Sequence, residues 1–319
     1  MDRREFLLGA AALAVAPTAR LGGIPLALVT ADLEASVVAF DLSSGRVVRR
    51  LRTPADPRSI ESIGVVGALV AHTAEGRLTL IDSDLRVRPV AGRLSEPRYA
   101  AVSPDRRLAY VTDSGRQEVA VVDLRGRRVV GRVGVRGACR HLGIDRTGSR
   151  LWVVLGNSAD EIAVLSLSDP ARPRVVGRIR PPFRAHDVGF TPGGRRVWVT
   201  SGERRRLAIY EAGGKLVRTL AADAPPQHVT FLGDRAFVTS GDDAVLRVHA
   251  LDGRLLRTAP VPVGSYNVQR SSDDPRARRW ILSPSLSRGT LCAFSPQGAL
   301  LHRARVARSS HDACFIVGT

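Results

Sequence analysis

Polar side chains recur at two neighbouring positions about every forty residues along this chain. The first position holds these seven residues: Arg58, Arg98, Arg140, His186, Gln227, Tyr266 and His311. The second position holds Ser59, Tyr99, His141, Asp187, His228, Asn267 and Asp312. Four of the chain's seven histidines fall in these positions, which a solvated loop rich in Gly, Ser and Asp would not explain. We therefore take all of these residues except Ser59 as candidate ligand-binding residues.

The arginines of the first position favour an anionic ligand. Arg58, Arg98 and Arg140 come from three consecutive repeats, so we expect them to line one arc of a ring and to face the histidines on the other arc. Planar guanidinium groups suit carboxylate and phosphate, which they bind through two parallel hydrogen bonds. The residues therefore predict a site for an anionic small molecule or an anionic partner protein. The alternative is that these groups only satisfy one another and the loop backbones around a wet channel.

Two other chemistries could use the same residues. The four histidines could hold Zn, Cu or Fe, because imidazole suits these metals, although the neighbouring arginines would repel a cation. Hydrolysis would need a positioned acid and base, which Asp187 or Asp312 beside a histidine could supply. No G-x-S-x-G nucleophile motif is present. We therefore expect a binding or scaffold protein without catalytic residues, metal or cofactor. A lactonase-like, lyase-like, metal-binding or redox-accessory protein with its site at the same place is the alternative.

The stretch Ser103–Val133 shows which elements must position these residues. It contains three short apolar runs, Leu108–Thr112, Val119–Asp123 and Val129–Val133, which are rich in β-branched and aromatic residues. Residues that favour turns separate the runs. No run shows the three-and-four spacing of an amphipathic helix, so the stretch predicts consecutive β-strands.

The same pattern repeats along the whole chain. Six complete copies are Arg52–Val90, Gly92–Val133, Gly134–Ile179, Arg180–Leu220, Ala221–Val261 and Pro262–Val306. Ile24–Leu51 matches the last three strands of a copy, and His311–Val317 matches a first strand. Repeats of this period typically form four-stranded blades. The sequence therefore predicts an all-β, seven-bladed β-propeller over residues 24–319. Its antiparallel blades should close into a ring when the segment after Ser310 pairs beside Leu26–Ala31.

The best copy resembles the YVTN-repeat family of bacterial β-propellers, the YncE-like proteins among them. The matching segments are Ser103-Pro104-Asp105, Leu108–Thr112, Asp113-Ser114-Gly115 and Val119–Asp123, with weaker matches at Val197–Gly202 and Ala236–Gly241. The resemblance implies a propeller fold and an exported or surface protein. It implies little about activity, and the chain contains no C-x-x-C-H motif for haem attachment.

Residues 1–20 form a separate segment, in which Arg3-Arg4 and Phe6-Leu7 precede a short apolar stretch. This arrangement is similar to a twin-arginine export signal, although Asp2 stands where such signals usually have Ser or Thr. The resemblance implies export to the periplasm or the cell exterior. It also leaves open retention at the membrane if the segment is not cleaved. We expect no membrane span in the rest of the chain.

Composition limits the other partners. The formal net charge is +18, but arginine is scattered over most repeats and Lys215 is the only lysine. This skew indicates a coding bias rather than a nucleic-acid site, where basic residues would cluster with stacking aromatic residues. We expect no specific nucleic-acid partner and a monomer. The three cysteines, Cys139, Cys292 and Cys314, are expected to be small buried hydrophobic residues.

Overall fold

A computed structural model describes residues 23–271 and 279–319 of the chain. Within these residues the backbone forms seven four-stranded antiparallel sheets, the blades. Blade 1 begins with β1 (Ile24–Ala31), β2 (Ser36–Asp41) and β3 (Arg46–Arg52). Blade 2 contains β4 (Pro57–Ser62), β5 (Gly67–His72), β6 (Arg77–Asp82) and β7 (Val87–Pro89). Blade 3 contains β8 (Pro97–Val102), β9 (Leu108–Asp113), β10 (Glu118–Asp123) and β11 (Arg128–Gly134).

The remaining blades follow in chain order. Blade 4 contains β12 (Leu142–Ile144), β13 (Arg150–Val154), β14 (Ile162–Ser166) and β15 (Arg174–Ile179). Blade 5 contains β16 (Val188–Phe190), β17 (Arg196–Thr200), β18 (Arg206–Glu211) and β19 (Leu216–Ala221). Blade 6 contains β20 (Val229–Leu232), β21 (Arg235–Ser240), β22 (Val245–Ala250) and β23 (Leu255–Pro260). Blade 7 contains β24 (Gln269–Arg270), β25 (Ile281–Ser285), β26 (Thr290–Phe294) and β27 (Leu300–Arg305).

The last strand, β28 (Ala313–Gly318), completes blade 1 by pairing with β1. The pairing is antiparallel and places Leu26 opposite Ile316 and Ala27 opposite Phe315. The predicted ring closure is therefore confirmed, as are the seven blades and their four antiparallel strands. Closure removes the unpaired inner edge that β1 would otherwise expose.

The apolar core is divided among the interfaces between neighbouring blades. Seven clusters of buried side chains occur within the described residues, and each joins two adjacent blades around the ring. Trp198 of blade 5, for example, meets Phe231 of blade 6 edge-to-face, with ring centroids 5.7 Å apart. Because strand side chains alternate between two faces, each blade can contribute apolar residues to both of its interfaces.

The three cysteines are buried, as expected, and none of them forms a disulfide. Burial raises the pKa of the Cys139 thiol to about 12 and that of Cys292 to about 11. It also raises the pKa of Cys314 well above its usual value, with contributions from nearby carboxylates. The predicted export signal, residues 1–20, lies outside the described residues. No helix in the described ranges is both long enough and apolar enough to cross a bilayer.

Candidate functional site

The candidate residues stand at or just before the inner strands, and hydroxyl groups of the neighbouring blades hold their backbones in place. The threonine that ends each YVT-like run donates a hydrogen bond to a first-position carbonyl of the next blade. These bonds join Thr112 to Arg140 at 2.6 Å, Thr200 to Gln227 at 2.5 Å, and Thr239 to Tyr266. The threonine of the repeat motif therefore links one blade to the next directly beneath the candidate site.

The carboxylate of Asp187 is a second link between blades. Its Oδ1 accepts a hydrogen bond from the amide of Val188 at 2.8 Å, and its Oδ2 accepts one from Val229 of the next blade at 3.0 Å. The same Oδ2 lies 3.4 Å from Nδ1 of His228. Asp187 thus joins blades 5 and 6 and orients the His228 ring.

Asp312 repeats this arrangement at the closure of the ring. Its Oδ1 accepts from the amide of Ala313 at 2.9 Å, and its Oδ2 accepts from Ile60 of blade 2 at 3.1 Å. Burial raises the pKa of Asp312, and the two backbone hydrogen bonds oppose that shift. Asp187 and Asp312 therefore both stabilise contacts between blades, and this structural role accounts for their presence.

Four aromatic and imidazole rings meet at the end of the channel where the inner strands begin. We call Tyr99, His141, His186 and His228 the ring cluster. The ring of His141 lies 4.2 Å from Tyr99, 4.6 Å from His186 and 4.5 Å from His228, measured between ring centroids. Tyr99 of blade 3 also lies 5.9 Å from His228 of blade 6. Blades 3 and 6 are not neighbours, so these side chains meet across the propeller axis.

Lowered pKa values keep His141, His186 and His311 neutral at pH 7. Burial lowers the pKa of His186 to about 4 and that of His311 to about 3, and Arg140 adds to both shifts, whereas the Asn157 carbonyl and Asp187 oppose that of His186. Burial, together with the neighbouring histidines, lowers the pKa of His141 well below its usual value. Neutral imidazoles keep a lone pair that can accept a proton or bind a metal.

The three first-position arginines differ in their partners. Arg58 lies 3.8 Å from a carboxylate oxygen of Asp56, and Arg98 lies 2.9 Å from one of Glu96. Arg140 forms no ion pair with a carboxylate of the described residues, and its buried Nε has no hydrogen-bond partner among them. Burial lowers the pKa of Arg140, the interaction and side-chain hydrogen bond with Tyr99 oppose this shift, and charge repulsion from Arg98 and Arg58 adds to it. The arginines are therefore close enough to interact, and Arg140 has unused hydrogen-bonding capacity.

Three other candidate side chains form hydrogen bonds within the protein. The Gln227 side-chain amide donates to Asp242 at 3.3 Å, and the Tyr266 hydroxyl donates to the same carboxylate at 2.8 Å. The side-chain amide of Asn267 donates to the backbone carbonyl of His311 at 2.7 Å. These contacts explain the polar residues at Gln227, Tyr266 and Asn267 without a ligand.

The central channel contains a cavity of about 800 Å³ that extends from the ring cluster to the opposite end of the inner strands. Its far end reaches the exposed turn residues Pro104, Arg106 and Arg146, so the channel opens on that side. The second-position residues that line it are Ser59, Tyr99, His141, Asp187, His228 and Asp312. No first-position residue lines the cavity within the described part of the chain, and neither does Asn267. Apart from Asn267, the second-position residues thus line the channel. The first-position residues lie outside the cavity, at the end of the ring.

Sequence reasoning missed Glu61 and Arg270, which also line the channel. Burial raises the pKa of Glu61 to about 7, an effect that the nearby positive charge of Arg270 partly opposes. The available signal was strand alternation, since Glu61 lies two residues after Ser59 on β4 and must face the same side. A carboxyl group with a pKa near 7 is suited to exchange protons at neutral pH.

Seven four-stranded blades around a central channel define a protein of the β-propeller class. The sequence profile of a family described as outer membrane protein assembly factor BamB matches residues 136–314, which is more than half of the chain. The chain belongs to this family. Its resemblance to the YVTN-repeat proteins stays a prediction. No curated protein matches the sequence.

Solved structures with the same fold share little sequence identity with this chain. A protein of unknown function from Desulfotomaculum acetoxidans superposes with a TM-score of 0.78 at 12% identity, covering 92% of this chain and 99% of the other. The periplasmic gluconolactonase PpgL of Pseudomonas aeruginosa gives 0.70 at 19% identity, covering 92% and 99%. Hydrazine synthase of Kuenenia stuttgartiensis gives 0.64 at 14% identity, covering 81% and 89%. At these identities the likeness concerns the fold alone.

Proposed function

We propose that this chain is an exported binding protein that takes an anionic small molecule at the first-position end of its propeller. The observation that carries the proposal is Arg140, a half-buried guanidinium without a carboxylate partner among the described residues. A buried cation without a counter-charge is costly, and an anionic ligand would remove that cost. The family that matches this chain is described as an assembly factor, which also supports a binding role over a catalytic one.

The surroundings of Arg140 suit an anion with further polar groups. Arg58 and Arg98 come from the two preceding blades and add positive charge, although each shares it with a carboxylate. Burial raises the pKa of Tyr99 to about 12, so its hydroxyl stays protonated and can donate a hydrogen bond. Guanidinium and phenol donors together match a carboxylate or phosphate that carries hydroxyl groups.

Replacement of Arg140 by alanine tests the proposal. We expect the wild-type protein to bind D-gluconate or inorganic phosphate in calorimetric titrations and Arg140→Ala to lose about 10- to 100-fold in affinity, as expected for a charge-assisted hydrogen bond. Arg180→Ala is the matched control, because Arg180 is 83% exposed and pairs with Glu161 on the outside of the ring. Equal affinity in all three proteins, or binding by none of them, would overturn the proposal.

Hydrolysis of a lactone is a second candidate function, which Glu61 favours. The name of PpgL suggests D-glucono-1,5-lactone as the test substrate. A carboxyl with a pKa of about 7 could act as the general base that activates water. We expect such an activity to rise as the pH passes upward through 7, because the ionised carboxylate is the base, and Glu61→Gln to reduce it about 100-fold. Acid release at constant pH measures it, and the absence of turnover by the wild-type protein would exclude this candidate.

A further inference from the structure

Three histidines of the ring cluster bring their side-chain nitrogens together. His141, His186 and His228 come from consecutive blades, and one ring nitrogen of each lies within 4.8 Å of those of the other two. Ligand nitrogens of a tetrahedral zinc site lie about 3.4 Å apart, given Zn–N bonds of about 2.0–2.1 Å. Small side-chain rotations would therefore bring the three nitrogens to ligand distance around one ion.

One ring nitrogen of each of two of these histidines already lies near the kind of oxygen that metal-ligating histidines typically face. Nδ1 of His186 lies 2.8 Å from the carbonyl oxygen of Asn157, to which it can donate. Nδ1 of His228 lies 3.4 Å from the carboxylate of Asp187. Donation from Nδ1 to a carbonyl or carboxylate leaves the lone pair on Nε2 for a metal and fixes the orientation of the ring.

The third histidine has only one weak contact of this kind, with the backbone of His186, and it lacks normal hydrogen-bond geometry. His141 is only 2% exposed, and neither of its ring nitrogens makes a hydrogen bond of normal geometry with the described residues. A buried polar side chain without a partner costs free energy, and a ligand on one of its nitrogens would remove part of that cost. This unsatisfied imidazole lies at the centre of the cluster, in ring contact with both His186 and His228.

We propose that His141, His186 and His228 bind one divalent zinc or copper ion as a three-imidazole site with an open fourth position. Nitrogen ligands select these ions over Ca²⁺ and Mg²⁺, which prefer oxygen. Arg140 is close enough to disfavour a cation, and the carboxylate of Asp187 beside His228 compensates for part of that charge. Three protein ligands would leave the fourth position of a tetrahedral site for an exogenous ligand. The inference does not depend on the proposed anion site.

Metal titration of untagged, chelator-treated protein tests the inference. We expect calorimetry to show one equivalent of bound Zn²⁺, and electron paramagnetic resonance of the Cu²⁺-loaded protein to show hyperfine coupling to several nitrogens. The His141→Ala variant should lose at least about 100-fold in Zn²⁺ affinity, because replacements that merely disturb such ligands already cost 10- to 100-fold. His302→Ala should bind as the wild type does, because His302 packs against Trp280 outside the cluster.

A second variant and a second measurement distinguish a folding defect from the loss of a metal ligand. His186→Gln keeps a polar side chain of similar length and should lose affinity in the same way, while circular dichroism confirms that both variants remain folded. Failure of the wild-type protein to bind an equivalent of Zn²⁺ or Cu²⁺ would overturn the inference. Unchanged affinity in folded His141→Ala and His186→Gln would overturn it as well. Neither result bears on the anion titrations of Arg140→Ala.

Discussion

Removal of residues 311–319 is expected to unfold the whole propeller instead of loosening one edge. The deletion takes away β28, whose residues Ala313 to Ile316 are at most 2% exposed. Burial of Phe315 and Ile316 alone contributes about 3–6 kcal/mol, and domains of this kind are stable by only about 5–15 kcal/mol. The deletion also exposes the inner edge of β1 and opens the clusters that blade 1 shares with both neighbours. Circular dichroism should show no cooperative thermal transition for the shortened chain.

A circular permutant separates the loss of β28 from the mere position of a chain end. The amide of Gly23 donates to the carbonyl of Gly318 at 2.9 Å, so in a chain that starts at residue 23 a short linker can join the two ends. A permutant opened instead in the turn at Asp252-Gly253 keeps β28 paired with β1 and should melt cooperatively near the wild-type temperature. A cooperative transition of the truncated chain within about 5 °C of the wild type would contradict the importance of ring closure.

Replacement of Asp312 by alanine is expected to lower the free energy of unfolding by about 2–5 kcal/mol. The substitution leaves the amides of Ile60 and Ala313 without the acceptor that the carboxylate provides. A buried donor without a partner costs about 1–3 kcal/mol, and two donors are affected. Urea denaturation at constant pH measures the change.

Asp123 provides a matched control for this measurement. Its carboxylate also accepts hydrogen bonds from two backbone amides, those of Arg125 and Gly126, but in an exposed turn. Because water can replace the lost acceptor there, Asp123→Ala should cost about 1 kcal/mol or less. Equal effects at the two positions would show that Asp312 does not link the blades in the manner described.

The fold was predictable because every signal was local and repeated. The runs Leu108–Thr112 and Val119–Asp123 become β9 and β10 almost residue for residue. The partial copies at the two ends left one arrangement that gives each blade four strands, and the pairing of β1 with β28 confirms it. Each blade has two apolar faces that it cannot bury alone. Packing the seven blades side by side in a ring buries both faces of every blade.

The site was predictable only in part, because it depends on distances across the axis. The register brought Arg58, Arg98 and Arg140 near one another, but it could not show that two of them have carboxylate partners. Contact between Tyr99 and His228 depends on the width of the channel, which no local pattern encodes. The pattern also predicts Asp187 as a candidate ligand, but it could not show that this carboxylate accepts hydrogen bonds from the amides of Val188 and Val229.

Burial also limits the reactivity of the three thiols. An ordinary cysteine is roughly one-tenth thiolate at pH 7.5, whereas burial raises the pKa of Cys139 to about 12 and leaves very little thiolate at that pH. Thiolate is the species that reacts with oxidants and with other disulfides, so Cys139 should be almost inert. Cys292 and Cys314 are protected in the same way. If the proposed export is correct, the three thiols should react slowly with oxidants outside the cytoplasm and should need no disulfide partner.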